Sequence, residues 1–487
     1  MTTKQLSLHC KTWGMLCLAG GALTMVSCVQ DDLKGGTFDC GVYNTQLEAP
    51  SADEITVTPS SDGASQVFKW PVVEGAGGYH AVLTNADNGE VVKDTLVDNI
   101  TFSTIREEDT NYQLALSVLD NKERNNKGTE PVSKLFNTFT PTFQTIPTGT
   151  DLSTYFAENP VPDNAKTEML CYDLEAGGSY TLSESVDFGN KQVTLRTTSA
   201  TNHAKLTYTG KVSLKTGNIF TLKNLDIDAS QSENPMLSLS ETPDESLKGA
   251  TGKGDYYNIK GSVTLNGCNI TGVNNNLVYD GNAKYCLEAM VINNCVIKLT
   301  SSAATNVTGN AIVYFKSGYA NTLNVTNSTI WNAGDADAKY FVQYNNSGRA
   351  DRAGYDNQYV IFQNSTFYNI AKAGQWANYS GFNGQKYSVF TVTNNIFVDC
   401  GNKQVPRRIM GGRGASSYPA GQVTFANNTY MFNGEFESVA GVVDPYDVSG
   451  TAIEEDPGFK DATNGDFTIS GATQLSRKTG DPRWIAE

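Results

Sequence analysis

Histidine is almost missing from this sequence: three stand in 487 residues, at His9, His80 and His203. No Cys or His spacing of the zinc-binding kind occurs. Basic residues are also short, with 36 Lys and Arg against 51 Asp and Glu and a formal net charge of −15. A field of that sign repels nucleic acid and anionic membrane surfaces, while a local basic groove can still hold an anion. Charge of either sign is sparse, at 18% of residues. The mostly apolar stretch from Trp13 to Met25 is too short to span a membrane comfortably. Gly, Asn, Ser and Thr fill the chain instead, a texture that suits an extracellular β-protein.

Residues 1–27 read as a signal peptide, with Lys4 and Lys11 as the basic start of the apolar stretch. It ends Met25-Val26-Ser27-Cys28, which resembles a bacterial lipobox with Met where Leu is usual. That resemblance implies cleavage before Cys28 and lipidation of its thiol, which would anchor the chain to a membrane. Asp31 and Asp32 resemble the surface-export signal of Bacteroidota-type lipoproteins, implying an outer-membrane, cell-surface location. Loss of the leader takes two lysines and moves the formal charge from −15 to −17. Residues 28–44 read as a flexible tether.

A six-residue pattern (apolar, any, Asn, any, any, apolar) recurs seven times in the second half of the chain. Its copies are Leu222-Asn224-Ile227, Leu265-Gly267-Ile270, Ile292-Asn294-Ile297, Val325-Asn327-Ile330, Phe362-Asn364-Phe367, Val392-Asn394-Phe397 and Phe425-Asn427-Tyr430. The spacings are 43, 27, 33, 37, 30 and 33 residues. A fixed motif at a varying period predicts a β-solenoid with loops of different length. Asn tolerates the left-handed backbone of a sharp bend, and Gly adopts it without steric cost. The flanking apolar residues then point inward and stack on their equivalents one coil away.

Nine cysteines are present. Cys10 and Cys17 leave with the leader, and Cys28 carries lipid. Cys268 and Cys295 each follow the motif's Asn/Gly position, so they stack on adjacent strands within disulfide range. They can be bonded, or they can be small buried thiols in a ladder that Ser328 and Ser365 continue. The ladder is the preferred reading.

Residues 45–145 differ in texture, with alternating runs such as Ile55-Thr56-Val57 and Tyr79-His80-Ala81-Val82-Leu83 separated by turns. This predicts a small β-sandwich. The phrase FKWPVVEGAGGYHAVL resembles a fibronectin type III module, with Trp70 as its core tryptophan and Tyr79 on the next strand. TNYQLALSVL resembles the tyrosine-bearing strand of that module. A short helix is expected near Leu152 to Glu158, capping a first coil that begins with Ser179–Leu182 and Val193–Leu195. The last stretch, EEDPGFKDATNGDFTISGATQLSRKTGDPRW, resembles the closing segment of right-handed parallel β-helices of the pectate lyase and chondroitinase B type. Residues 150–487 as a whole resemble β-helix lipoproteins of unknown function found in Bacteroidota glycan-utilisation systems. The expected fold class is all-β: a right-handed parallel β-helix preceded by a fibronectin-like sandwich.

That resemblance places a ligand groove on the sheet preceding the strands that flank the Asn turn. The aligned strands are 235–240, 276–281, 311–317, 339–347, 374–380 and 406–412. Alternation points Leu237, Val278, Val313 and Val342 inward. It leaves Ser238, Tyr279, Tyr314, Gln343 and Asn378 outward, with a companion row of Ser240, Gly281, Lys316, Asn345 and Ser380. Trp376 is expected outward near Arg408, joined by Tyr379 where the strand bends. Sugar rings offer apolar C–H faces to aromatics and hydroxyls to amides. A polysaccharide is therefore the expected partner, bound by Tyr279, Tyr314, Gln343, Asn345, Trp376, Asn378, Tyr379 and Arg408, alongside other glycan-uptake proteins.

Two other readings stay open. A resemblance to β-helix lyases would make Lys316 a base acting on a uronic-acid glycan, with Arg349 or Arg352 neutralising the developing charge. A structural or adhesion role needs no such groups. The Gly-His-Gly loop of β-helix glycoside hydrolases is absent. Asp335 and Asp337 form a short acidic loop that could hold calcium weakly, but two carboxylates do not make a calcium site, so no cofactor is expected and calcium is left open without being evident.

Overall fold

The computed structural model describes residues 41–485 except 60–64, 88, 106–109, 251–254, 301–310, 346–353, 380–384 and 437–445. Residues 1–27, expected to be a leader, and Cys28 lie outside the described residues. The chain divides into two compact units, Met1–Thr138 and Phe139–Glu487.

The first unit holds two antiparallel sheets. One orders Thr56–Pro59, Ser65–Lys69 and Thr101–Ile105. The other orders Val91–Val97, Tyr79–Asn85, Asn111–Val118 and Val132–Asn137. Alternation along Tyr79–Asn85 buries Tyr79, Ala81 and Leu83. Trp70 packs edge-on to Tyr79, with centroids 5.3 Å apart. The Tyr79 hydroxyl accepts from the Val73 N–H at 2.8 Å, which satisfies its polar end. The unit ends before the expected residue 145. Thr142–Ile146 leaves the antiparallel pattern and pairs in parallel with Leu170–Leu174 in the second unit.

In the second unit the chain visits three largely parallel sheets in turn, of eleven, ten and seven strands among the described residues. One coil runs Tyr319–Thr326, Thr329–Asn332, Tyr340–Tyr344, and Gln358–Gln363 then lies beside its first strand. The motif's first apolar position forms one buried row, Leu222, Leu265, Ile292, Val325, Phe362, Val392 and Phe425. Its second forms another, Ile227, Ile270, Ile297, Ile330, Phe367, Phe397 and Tyr430. Burying each such side chain contributes about 2 kcal/mol. Rungs accumulate because a single coil cannot hide its own apolar face.

All seven corner residues have φ between 49° and 64°. The Asn side chains link coil to coil: Asn364 donates to Asn327 at 3.3 Å, Asn394 to Asn364 at 3.1 Å and Asn427 to Asn394 at 3.1 Å. One residue on, a second ladder runs Cys295, Ser328, Ser365, Asn395 and Asn428. Each backbone N–H donates to the next side-chain oxygen at 3.0–3.2 Å. Cys268 and Cys295 are free thiols within this interior.

The stack begins earlier than Ser179, with Thr142–Ile146 and Leu170–Leu174 already in the eleven-stranded sheet. The helix Leu152–Glu158 sits at this end, its Phe156 edge-on to Tyr172 and Phe188. Asp151 caps it by accepting from the Thr154 N–H at 3.0 Å. Burial raises the Asp151 carboxyl, but bonds from Ser153, Thr181, Thr154 and Ser183 outweigh it and bring its pKa down to about 2.

The C-terminal segment straps the outer face of the ten-stranded sheet. Asp481 accepts from Thr329 Oγ1 at 2.7 Å, and its N–H donates to Thr366 Oγ1 at 3.1 Å. Trp484 donates to Thr329 Oγ1 at 2.7 Å, and Gln474 to Thr429 Oγ1 at 3.3 Å. Phe467 packs against Trp331 and Tyr368 beneath it.

Candidate functional site

The seven-stranded sheet precedes the two strands that flank each Asn corner, as the motif requires. Its register aligns Asp187, Lys215, Ser238, Tyr279, Tyr314, Gln343 and Asn378 across successive strands. Leu237, Val278, Val313 and Val342 lie inside, fully buried. The row reaches two strands further upstream than the sequence alignment takes it. There Lys215 is neutralised by Glu241 at 3.0 Å.

Tyr279 and Tyr314 stack with centroids 5.7 Å apart and planes 27° from parallel. Tyr314 and Tyr340 form a small outward cluster with Ala311, which leaves Tyr314 only 7% exposed. Asn345 donates to the Tyr314 hydroxyl at 2.9 Å, and Gln343 donates to Asn345 Oδ1 at 2.6 Å. Asn378 donates to the Tyr340 hydroxyl at 3.4 Å. Burial pushes the Tyr279 hydroxyl up to about 12, so it stays a neutral donor. The face is thus a ladder of phenols and amides that hold one another in place.

Three expected members are placed elsewhere. Trp376 is fully buried, in face-to-face contact with Phe341 at 4.6 Å and edge-on to Phe367 and Phe397. The cause is a corner in the coil. Five of its seven strands are entered through two consecutive inward residues, Met236-Leu237, Leu277-Val278, Ile312-Val313, Phe341-Val342 and Trp376-Ala377, so strict alternation fails at their first position. The paired apolar letters were visible in every aligned segment. Tyr379 is buried too, on the inward rung beside Tyr344 at 5.5 Å, because the strand does not bend. Arg408 lies on a helix, Val405–Ile409, rather than on a strand of 406–412. Pro406 lacks the N–H a parallel ladder needs and fits a first helical turn. The helix packs against Gln375–Tyr379.

Lys316 stands exposed in the turn after Ala311–Phe315. Arg349 and Arg352 lie outside the described residues. Asp280, the acid nearest upstream, is fully buried as the staple of this turn. Its carboxylate accepts from the N–H groups of Ser317 at 2.6 Å, Gly318 at 2.8 Å and Asn282 at 3.0 Å, while burial raises its pKa. A cleft of about 430 Å³ opens elsewhere, lined by Asn332, Asp335, Asp337, Asn369, Lys372 and Phe432 among others. Asp337 there accepts from the Ala373 N–H at 2.9 Å, and Lys372 meets Asp399 at 2.7 Å. Among the described residues no group of three His, Cys, Asp or Glu is placed to hold a metal. Among them, too, no helix is long and apolar enough to cross a membrane.

Three family models match in succession, each described as a domain of unknown function: DUF4992 over residues 1–177, DUF4957 over 178–333 and DUF5123 over 360–484. No curated protein matches the sequence. Among solved structures, a pectate lyase from Pectobacterium carotovorum aligns at 10% identity over 77% of this chain and 89% of that one, with a TM-score of 0.13. A pectate lyase from Erwinia chrysanthemi, in complex with tetragalacturonic acid, aligns at 9% identity over 63% and 87%, with a TM-score of 0.12. Likeness at that level adds nothing to what the strand topology establishes.

Proposed function

We propose that the chain captures polysaccharide along the outward face of the seven-stranded sheet. The observation that carries this reading is the register-aligned row of Tyr279, Tyr314, Gln343 and Asn378, steadied by Asn345 and Tyr340. Phenol edges and amide groups repeat at the strand spacing of about 4.8 Å, so a chain of sugars crossing the strands meets hydroxyl partners throughout. Calcium carboxylates would favour cleavage, but Asp280, the acid nearest upstream of Lys316, is spent on backbone N–H groups. In this proposal the coil is right-handed, the first unit is a fibronectin type III-like spacer, and Cys28 carries the lipid of an outer-membrane, surface-exposed glycan-uptake component. The strand orders of the first unit, with Trp70 packed on Tyr79, support the spacer reading.

The test is a panel of neutral and uronic polysaccharides run in affinity gels with the protein beginning after Cys28. Absorbance of the unsaturated sugar reports any lyase product. Retardation without product, lost in Tyr279→Ala and Gln343→Ala, is the expected result. Product that vanishes in Lys316→Ala would replace capture with elimination. No retardation by any polymer would leave a structural or adhesion role.

A further inference from the structure

Arg407 and Arg408 are consecutive on the short helix Val405–Ile409, which follows Ile396–Val398 where earlier coils send a strand to the seven-stranded sheet. Both are half-buried. Neither meets a carboxylate among the described residues. Arg407 Nε is buried with no hydrogen-bond partner among them, and its guanidinium carbon lies 5.6 Å from the centre of the Tyr446 ring. Arg408 Nε donates to Gln404 Oε1 at 3.3 Å, a neutral partner. Elsewhere two covered arginines are neutralised: Arg196 meets Asp173 at 2.7 Å and Arg483 meets Asp481 at 3.2 Å.

Two like charges side by side, partly withdrawn from water and meeting no carboxylate among the described residues, are costly in a chain that is otherwise acidic. Burial first, and the Arg407 charge second, push the Arg408 pKa down, with the nearby Tyr340 and Tyr446 hydroxyls opposing. Tyr340 also has the Lys339 ammonium 5.5 Å from its ring centre, so a third cation stands at this corner. A planar guanidinium fork matches the paired oxygens of a carboxylate or sulfate.

We propose that Arg407 and Arg408 form a binding site for an oxyanion, the carboxylate or sulfate group of an acidic ligand. The proposal does not rest on glycan capture, because its contacts are the two guanidiniums, although Tyr340 stands at the edge of both sites.

The test titrates the purified protein calorimetrically with sodium sulfate, sodium galacturonate and, as a neutral control, galactose, all at constant ionic strength. Saturable binding of at least one anion and none of galactose is expected. Affinity should fall about ten-fold in Arg407→Gln and in Arg408→Gln, and less in Arg408→Lys, which keeps the charge but loses the fork. Tyr279→Ala should leave it unchanged, whatever that substitution does to polysaccharide. Response to sulfate alone or to galacturonate alone tells which group the site takes. Absence of saturable binding to both anions, or equal affinity in the Gln variants, overturns the proposal. Should a Gln variant fail to fold, Arg407→Lys and Arg408→Lys carry the same comparison.

Discussion

Phe341 and Trp376 lie face to face inside the coil, their ring centroids 4.6 Å apart and their planes 12° from parallel. Trp376 therefore serves stability and not contact with a ligand. Trp376→Ala should lower unfolding stability by about 3–5 kcal/mol, with Trp376→Phe milder. Denaturant unfolding checks this. A Trp376→Ala protein of wild-type stability that has lost polysaccharide would return this side chain to the surface.

Asn394 gives and receives one bond in the corner ladder, donating to Asn364 and accepting from Asn427, each at 3.1 Å. Its φ is 57°. Asn394→Ala loses both bonds and puts a Cβ in left-handed backbone, which should cost about 2–4 kcal/mol. Asn394→Gly keeps the backbone freedom and should cost clearly less. Equal losses in the two variants, measured by urea unfolding, would mean the corner conformation is not what Asn supplies.

Asp481 is almost wholly buried, and burial lifts its pKa to about 6 although Arg483 and Thr329 pull the other way. Its ordinary value is 3.8. Between those values the folded chain holds a proton that the unfolded chain has released. Stability from this group is thus full at the acid end and falls as pH rises through the window, by about 3 kcal/mol at most. Asp481→Asn should flatten that portion of the stability profile and raise stability at pH 7. Parallel wild-type and Asp481→Asn slopes from pH 4 to pH 6.5 would contradict the assignment.

Cys295 Sγ donates to the Asn293 carbonyl at 3.2 Å, as Ser328 Oγ does to Thr326 at 2.6 Å and Ser365 Oγ to Gln363 at 2.8 Å. The position accepts either hydroxyl or thiol. Cys295→Ser should change stability by less than about 1 kcal/mol, and the native thiols should resist alkylation until the chain unfolds. Rapid labelling of folded protein at Cys268 or Cys295 would show that the interior opens.

The coil was legible because Leu222, Asn224 and Ile227 repeat their offsets where the backbone has one way to turn. The helix at Leu152 was legible through its length and position. The buried place of Trp376 was not, since alternation describes a strand's middle and the coil corner admits a second inward residue. Arg408 was misplaced on a strand although Pro406 argued against one. The early strands Thr142–Ile146 and Leu170–Leu174 escaped; they join the eleven-stranded sheet with no Asn corner to mark them. Arg408 was named from the sequence, but that the Arg407–Arg408 pair meets no carboxylate among the described residues is a fact of three dimensions.

The strap changes the order in which the molecule can be completed. A stack of coils needs only its nearest neighbours, so its rungs can settle as they are made. Thr329 meets Asp481 across 152 positions of sequence, so the middle rungs gain their last bonds only after Asp481 has been added. Such distant closure slows the final step and couples coils that would otherwise fray one by one. A protein cut before Asp481 would keep its coils and lose the tie that makes them open together.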